Sequence, residues 1–474
     1  MNSLQPTQET TLTGHSELWP RPSPPEAFAA RRRRLREHLT GSAVFASGWA
    51  RARNFPDNRY AFRAESHFLY LVGRQIEGAL LVSDAAGERL YVPPEDPSAR
   101  LWHGHEPGVA ELSLELGLDV RPIDELGSLA AAATLPPQDP RAAAWLSDQL
   151  RRPVLAGLGA ALGSPDRELA EAMIALRLLH DESALEQLRQ AARVTASAFS
   201  AGMRRTRPGC REAEVGAAMQ AAIAGQGMNL AYQPIVTVQG QVLHAHRQDG
   251  IVQSSDLLLA DVGAETPEGW AADVTRTWPV SGRFSATQRD LYQAVLTAQA
   301  AALAAVRPGA RYRDVHLASQ RALLECLVDL KILRGSIDGL LACHAVALFY
   351  PHGVGHLLGL DVHDMEDLGD RAGYAPDRQR QLDPSRRYLR LDRDLQPSMV
   401  VTIEPGFYQI PDLLAAVEPA GPLDKALDRE RLAAFQDVRG IRIEDDVLVT
   451  ATGYEILSAA IPKTVAAIEA AMAG

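Results

Sequence analysis

The stretch FYPHGVGHLLGLDVHD, residues 349–364, places His352, His356 and His363 within twelve positions of a 474-residue chain that has only 13 histidines. A buried imidazole needs a hydrogen-bond partner or a metal, because its unpaired polar atoms cost stability. Three together, flanked by backbone-permissive glycines, read as a site. Four acids are placed to complete it. Asp261 and Asp273 flank the turn TPEG in DLLLADVGAETPEGWAADVTRT, Glu404 ends a β-branched run in VVTIEPGF, and Glu444 alternates with Ile441 and Ile443 in GIRIEDDVLVT. Carboxylates so deep in apolar strands are expensive as unpaired charges. They either pair with arginines, of which Arg276, Arg390 and Arg442 are candidates, or they bind cations. Two divalent cations balance four carboxylates, and a neutral His356 adds a nitrogen ligand. An oxygen-rich set with one imidazole suits Mn²⁺, Co²⁺ or Zn²⁺ rather than thiolate-loving ions. Two such ions about 3.5 Å apart would support metal-assisted hydrolysis of a carbonyl compound.

The elements that must position these groups can be read from period and punctuation. Proline with glycine two places later suits a type I turn ending in a left-handed residue, so TPEG predicts a hairpin. Its strands would bring Asp261 and Asp273 to opposite or diagonal positions. RPGCREAEV starts at Arg207 and RPGARYRDV at Arg307, one hundred residues later. Each follows an alanine-rich helical run and opens another helix, which predicts two related halves. The strand candidates QPIVTVQ, DLLLADVG, WAADVTRTWPV, MVVTIEPG and IRIEDDVLVT, added to two helix pairs, predict an α+β domain with helices over one sheet face. Upstream, SAVFAS, HFLYLVG, ALLVSD and RLYVPP read as strands and RAAAWLSDQL as a helix, giving an α/β segment. The expected division is an extended arm over 1–25, an N-terminal α/β domain over 26–175 and a catalytic domain over 176–474.

The length exceeds what one core usually serves. An apolar fraction of 46% and a charged fraction of 23% are those of a globular protein. A net charge of −11 without a long basic stripe argues against nucleic acid or an anionic membrane as partner. The RRRR run at 31–34 reads as one solvated face of a helix. Cys210, Cys326 and Cys343 are too few and scattered for a disulfide framework or a cysteine-built zinc site. The N-terminus shows no apolar signal region and no eighteen-residue apolar run occurs, so a soluble cytoplasmic protein is expected. WHGHEP, with His103 and His105, reads as a solvated loop.

Taken together, LLLADVGAETPEGWAADVTRTWPVSGRF, HGVGHLLGLDVHD, VVTIEPGFY and GIRIEDDVLVT resemble the successive metal-site motifs of pita-bread metallopeptidases, specifically aminopeptidase P and prolidase. YAFRAESHFLYLVG resembles a segment of their N-terminal domain, so the likeness spans nearly the whole chain from about residue 25. The resemblance implies a C-terminal pita-bread domain behind a creatinase/aminopeptidase P-like N-terminal domain, and hydrolysis of the bond between an N-terminal residue and a following proline. It implies that Asp261, Asp273, His356, Glu404 and Glu444 ligate two ions, usually manganese, with Asp273 and Glu444 bridging. Glu404 would also act as general base, His363 would donate to the scissile carbonyl, and His352 would contact the region of the scissile bond. His244, preferred over His246, would hold the proline residue. Arg390, fourteen residues before Glu404, matches a prolidase arginine that grips a dipeptide's carboxylate, and Arg442 is a further substrate-binding candidate. The family's oligomers imply a dimer or tetramer in which Trp102 could approach a neighbour's site. The Asp261–Asp273 separation is one residue longer than usual in the family, and the insertion before Glu444 is prolidase-like. The alternatives are a strict dipeptide-cleaving prolidase and a non-catalytic pita-bread module that binds peptides or proteins. Methionine aminopeptidases resemble only the C-terminal domain, and creatinase-like enzymes lack the metal-binding acids.

Overall fold

The two Arg-Pro-Gly segments occupy equivalent places in two similarly built halves. Helix Glu182–Arg205 is followed by Glu212–Ala224, and helix Ala286–Ala305 by Tyr312–Asp329. At the junctions Gly209 and Gly309 have φ of +87° and +79°, a left-handed turn that only glycine adopts without strain. Each helix pair precedes a three-stranded antiparallel sheet. In the first, Leu257–Asp261 lies between Ile235–Thr237 and Thr275–Pro279. In the second, Asp445–Val449 lies between Val400–Ile403 and Tyr454–Ile456. The computed structural model describes residues 19–94, 99–156 and 162–473. Residues 1–18, the greater part of the expected arm, lie outside them.

IRIEDDVLVT, expected as one strand, is two: Gly440–Arg442 and Asp445–Val449. The break has a cause. The Glu444 N–H donates to the Thr275 carbonyl at 3.0 Å, and Thr277 Oγ1 donates to the Arg442 carbonyl at 3.2 Å. The backbone therefore leaves its own sheet at residues 443–444 to join the other half, and the acid-bearing strands of both halves meet along one seam.

The N-terminal domain carries a five-stranded mixed sheet ordered Asp119–Pro122, Gly87–Val92, Leu80–Asp84, Ala43–Ala46, Ala133–Thr134. HFLYLVG, expected as a strand, is the helix Ser66–Val72, buried throughout and ended by Gly73 at φ +72°. A short apolar run has no readable period when every face is covered. Here, Phe68, Leu69 and Tyr70 share one continuous apolar cluster with Trp270, Leu357 and Leu360 of the C-terminal domain. The helix is thus a plug between domains.

The RRRR run corrects a second expectation. It lies in helix Pro25–His38, but Arg31 and Arg32 are buried while Arg33 is exposed. Arg31 forks onto both carboxylate oxygens of Asp181 at 2.8 and 2.9 Å, and its guanidinium lies 4.9 Å from the rings of Phe28 and Tyr70. Asp181 also caps helix Glu182–Arg205 by accepting the Ala184 N–H. Burial of these cations is tolerable because a planar guanidinium satisfies a carboxylate bidentately and stacks on aromatic faces. Arg32 donates to the Leu71 carbonyl at 2.7 Å, and burial pushes its pKa down to about 10.

Replacing Arg31 with Met should lower the free energy of unfolding by about 2–3 kcal/mol, less than a fully buried pair would lose, because the Asp181 side chain remains 27% exposed. Urea denaturation measures it. A loss below about 0.5 kcal/mol would match a solvated surface charge instead.

Candidate metal centre

The TPEG hairpin closes as its sequence requires. Gly269, at φ +95°, donates its N–H to the Thr266 carbonyl at 2.8 Å, and Thr266 donates to the Trp270 carbonyl at 2.9 Å. In the ladder Asp261 faces Thr275, which puts Asp273, two residues earlier, at the diagonal position. The Tyr232 hydroxyl lies between the two acids, 2.5 Å from Asp261 Oδ1 and 2.7 Å from Asp273 Oδ1. One hydroxyl proton satisfies one of these oxygens at a time; the other still needs a cation or a proton.

The second half brings His356, Glu404 and Glu444 to the same place. The Gly355 backbone passes so close to Thr402 that an added Cβ would lie 2.2 Å from its carbonyl oxygen, which explains that glycine. His356 donates from Nδ1 to the Leu357 carbonyl at 3.0 Å, leaving the Nε2 lone pair facing the acids. That nitrogen lies 3.4 Å from Asp273 Oδ2 and 3.7 Å from Glu404 Oε1. Glu444 Oε2 accepts from Thr275 Oγ1 at 2.6 Å. Donor atoms of Asp273, His356 and Glu444 all lie within 4.8 Å of one another, the one such group found among the described residues.

Of the three candidate arginine partners, only Arg442 reaches one of the four acids: its Nη2 donates to Asp261. Arg276 pairs with Asp445 at 2.7 Å and Arg390 with Glu366 at 2.6 Å. One guanidinium and one imidazole do not neutralise four carboxylates. Burial, with the neighbouring acids adding to it, pushes Glu404 up to about 7 and raises Asp261 and Glu444. Divalent cations would remove that penalty. An oxygen-rich donor set with a single imidazole, its proton held away by a carbonyl, fits them.

Two cavities meet at these residues. One of about 750 Å³ runs to the N-terminal domain and is lined by Arg63, Glu65, His67, Gln138 and His246. The other, about 380 Å³, is lined by His352, Arg380, Tyr388, Arg390 and Arg442. His244, His363, Asp261 and Asp273 line both. The His363 ring centroid is 4.2 Å from that of His356, and its Nδ1 lies 3.3 Å from Glu366 Oε2. Both His352 nitrogens are engaged within the protein: Nδ1 donates to the Gly353 carbonyl and Nε2 accepts from the Tyr408 hydroxyl, each at 2.8 Å. Burial pushes its pKa down to about 3, so the ring is a neutral wall. His103 and Trp102 are exposed, and His105 Nε2 lies 3.1 Å from Glu111.

Sequence reading missed Tyr232, Thr275, Tyr408 and Glu366. None stands at a spacing that signals a role; each acts through a contact made only when distant segments meet.

Comparison with known proteins identifies the family. A model described as metallopeptidase family M24 matches residues 186–451, and one described as aminopeptidase P, N-terminal domain, matches residues 28–141. Xaa-Pro aminopeptidase 1 of Streptomyces coelicolor is 33% identical over 470 residues, covering 94% of this chain and 86% of that protein. Xaa-Pro dipeptidase of Homo sapiens is 32% identical over 483 residues, covering 94% and 93%. The solved structure of Pseudomonas aeruginosa aminopeptidase PepP superposes with a TM-score of 0.77 at 28% identity, covering 95% of this chain and 98% of that one.

Tyr232→Phe keeps the ring and removes the hydroxyl between Asp261 and Asp273. It should weaken divalent-metal affinity about tenfold, as loss of a supporting hydrogen bond does at other sites. Titration of metal-stripped protein by calorimetry measures this; affinity within twofold of wild type would show that the hydroxyl does not order the pair.

Proposed function

The chain belongs to metallopeptidase family M24, and on that premise we propose that it hydrolyses the bond between an N-terminal residue and a following proline through two divalent ions, preferably Mn²⁺. The observation carrying this reading is the convergence of Asp261 and Asp273 from one half with His356, Glu404 and Glu444 from the other, where two cavities join. A non-catalytic binding module would have no need of five such donors held in one cleft.

Ions at these donors would supply polarisation of the scissile carbonyl and a water that ionises near neutrality. The chain's own groups do the rest. Glu404, in the wall of the smaller cavity beside His356, is suited to take a proton from the attacking water and deliver it to the proline nitrogen as the bond breaks. His363, at the junction of the cavities with Nδ1 toward Glu366, donates from Nε2 as an imidazolium to the carbonyl oxygen as negative charge develops. His244 lines the same junction and holds the proline residue, and the neutral ring of His352 walls its pocket. The smaller cavity then takes the proline side and the larger one the N-terminal residue.

Arg390 supports a dipeptide preference. Arg390 lines the smaller cavity, and its Nη1 donates to both carboxylate oxygens of Glu366. A dipeptide presents a carboxylate there; a longer peptide presents a neutral amide.

The direct test compares Xaa-Pro with Xaa-Pro-Yaa-Zaa peptides under Mn²⁺, before and after chelation. Turnover that survives full removal of metal, or cleavage indifferent to proline, would sink the proposal. His363→Ala should lower kcat about 10²–10³-fold with metal content near wild type; full turnover with reduced stability would make it a turn-capping residue. Arg390→Ala should raise KM for dipeptides more than for longer peptides, and an equal effect on both would remove it as the length selector.

A further inference from the structure

Segment 361–367 carries His363 and Glu366, and the N-terminal domain grips both of its ends. At the first end, Ser66 Oγ donates to Asp361 Oδ1 at 2.7 Å and Arg63 Nη2 to the Leu360 carbonyl at 2.7 Å. At the other, His67 Nε2 lies 2.9 Å from Asp367 Oδ2. Ser66 and His67 open the buried inter-domain helix.

The His67 ring is itself held from behind. Its Nδ1 lies 3.0 Å from Arg177 Nη1. A guanidinium has no lone pair to offer, so Nδ1 must be the acceptor and the ring proton must sit on Nε2, aimed at Asp367. Arg177 Nη2 meanwhile donates to Asp364 Oδ1 at 2.6 Å and to Asp361 Oδ2 at 3.2 Å. The close packing leaves little slack: a Cβ on Gly359 would lie 2.6 Å from Asp364 Oδ2. Asp367 is the neighbour of Glu366, whose carboxylate meets both His363 Nδ1 and Arg390. The chain of contacts runs from Arg177 through His67 to Asp367, and by one peptide unit to the group that orients His363.

We propose that His67, contributed by the N-terminal domain, is a positioning residue for the catalytic segment 361–367: by accepting from Arg177 and donating to Asp367 it fixes where His363 and Glu366 stand. The inference rests on the peptidase reading, in which His363 meets the reacting carbonyl. His67 also stands in the wall of the larger cavity, but both of its ring nitrogens are engaged by Arg177 and Asp367, so its part in turnover runs through the segment and not through a bond to substrate.

The test pairs two substitutions in the full, manganese-loaded chain. His67→Gln offers a carbonyl oxygen to Arg177 and an amide N–H to Asp367, so it can restore both contacts; His67→Leu fills the space and restores neither. His67→Leu should lower kcat at least tenfold, with KM within about threefold and bound manganese unchanged, while His67→Gln stays within threefold of wild type. Hydrogen–deuterium exchange over 361–367 should quicken in the Leu variant alone. Turnover of His67→Leu within twofold of wild type, or equal impairment of the two variants, overturns the proposal. If His67→Leu does not accumulate folded, Asp367→Ala breaks the same link from the segment's side and must show the same kcat loss at unchanged metal content; wild-type turnover there also overturns it. A wild-type chain that cleaves no Xaa-Pro peptide would instead defeat the peptidase reading. The exchange result then decides the positioning claim by itself: equal exchange in the Leu and Gln variants refutes it.

Discussion

The organising constraint is electrostatic: Asp261, Asp273, Glu404 and Glu444 line one cleft, Glu404 half-buried and the other three buried. Like charges withdrawn from water repel strongly and each loses its hydration. Only a rigid frame can hold them within range of one another, and strands joined by backbone ladders are such a frame. The acids stand on or next to strand ends, where the pleat sets their direction and the neighbouring strand fixes their spacing. The surrounding hydroxyls of Tyr232 and Thr275, and the guanidinium of Arg442, offset part of the charge. What they leave over is negative charge that a divalent metal would neutralise.

The doubled architecture follows from that charge. A single helix-pair-and-sheet unit supplies two or three donors, too few to surround a metal centre. Two units facing each other across a seam supply five. The seam also forces the chain out of its sheet at Ile443–Glu444, where the Glu444 N–H bonds to the first half. The contributions are unequal, two acids from one side and two acids with a histidine from the other, so the cleft has two different ends, one toward the N-terminal domain and one toward Arg390.

The N-terminal domain is bound into this frame rather than appended to it. Arg31 on the helix cap, the apolar plug at 66–72 and the contacts of Arg63, Ser66 and His67 all cross the boundary. Such an interface, apolar at its centre with charge-assisted hydrogen bonds around it, transmits position well because packed groups have few alternative arrangements.

The sequence by itself determined whatever local chemistry or short-range period could encode. The TPEG turn specified its hairpin, and the hairpin put Asp261 and Asp273 opposite or diagonal to each other; the ladder register then made them diagonal. The repeated Arg-Pro-Gly steps marked two helix pairs. The rarity of histidine and the depth of four acids singled out the groups that meet in the cleft. The tertiary structure decided what depends on a surface arriving from elsewhere. HFLYLVG became a helix because two domains cover all its faces, erasing the alternation that would mark a strand or a helix. Arg31 and Arg32 became interior because Asp181, three aromatic rings and the Leu71 carbonyl came to them. Tyr232 became the bridge between two acids, and Arg390 the partner of Glu366, through contacts that no sequence spacing records. Period and punctuation describe a segment's own geometry; a long-range contact is a property of two segments, and only the folded chain contains both.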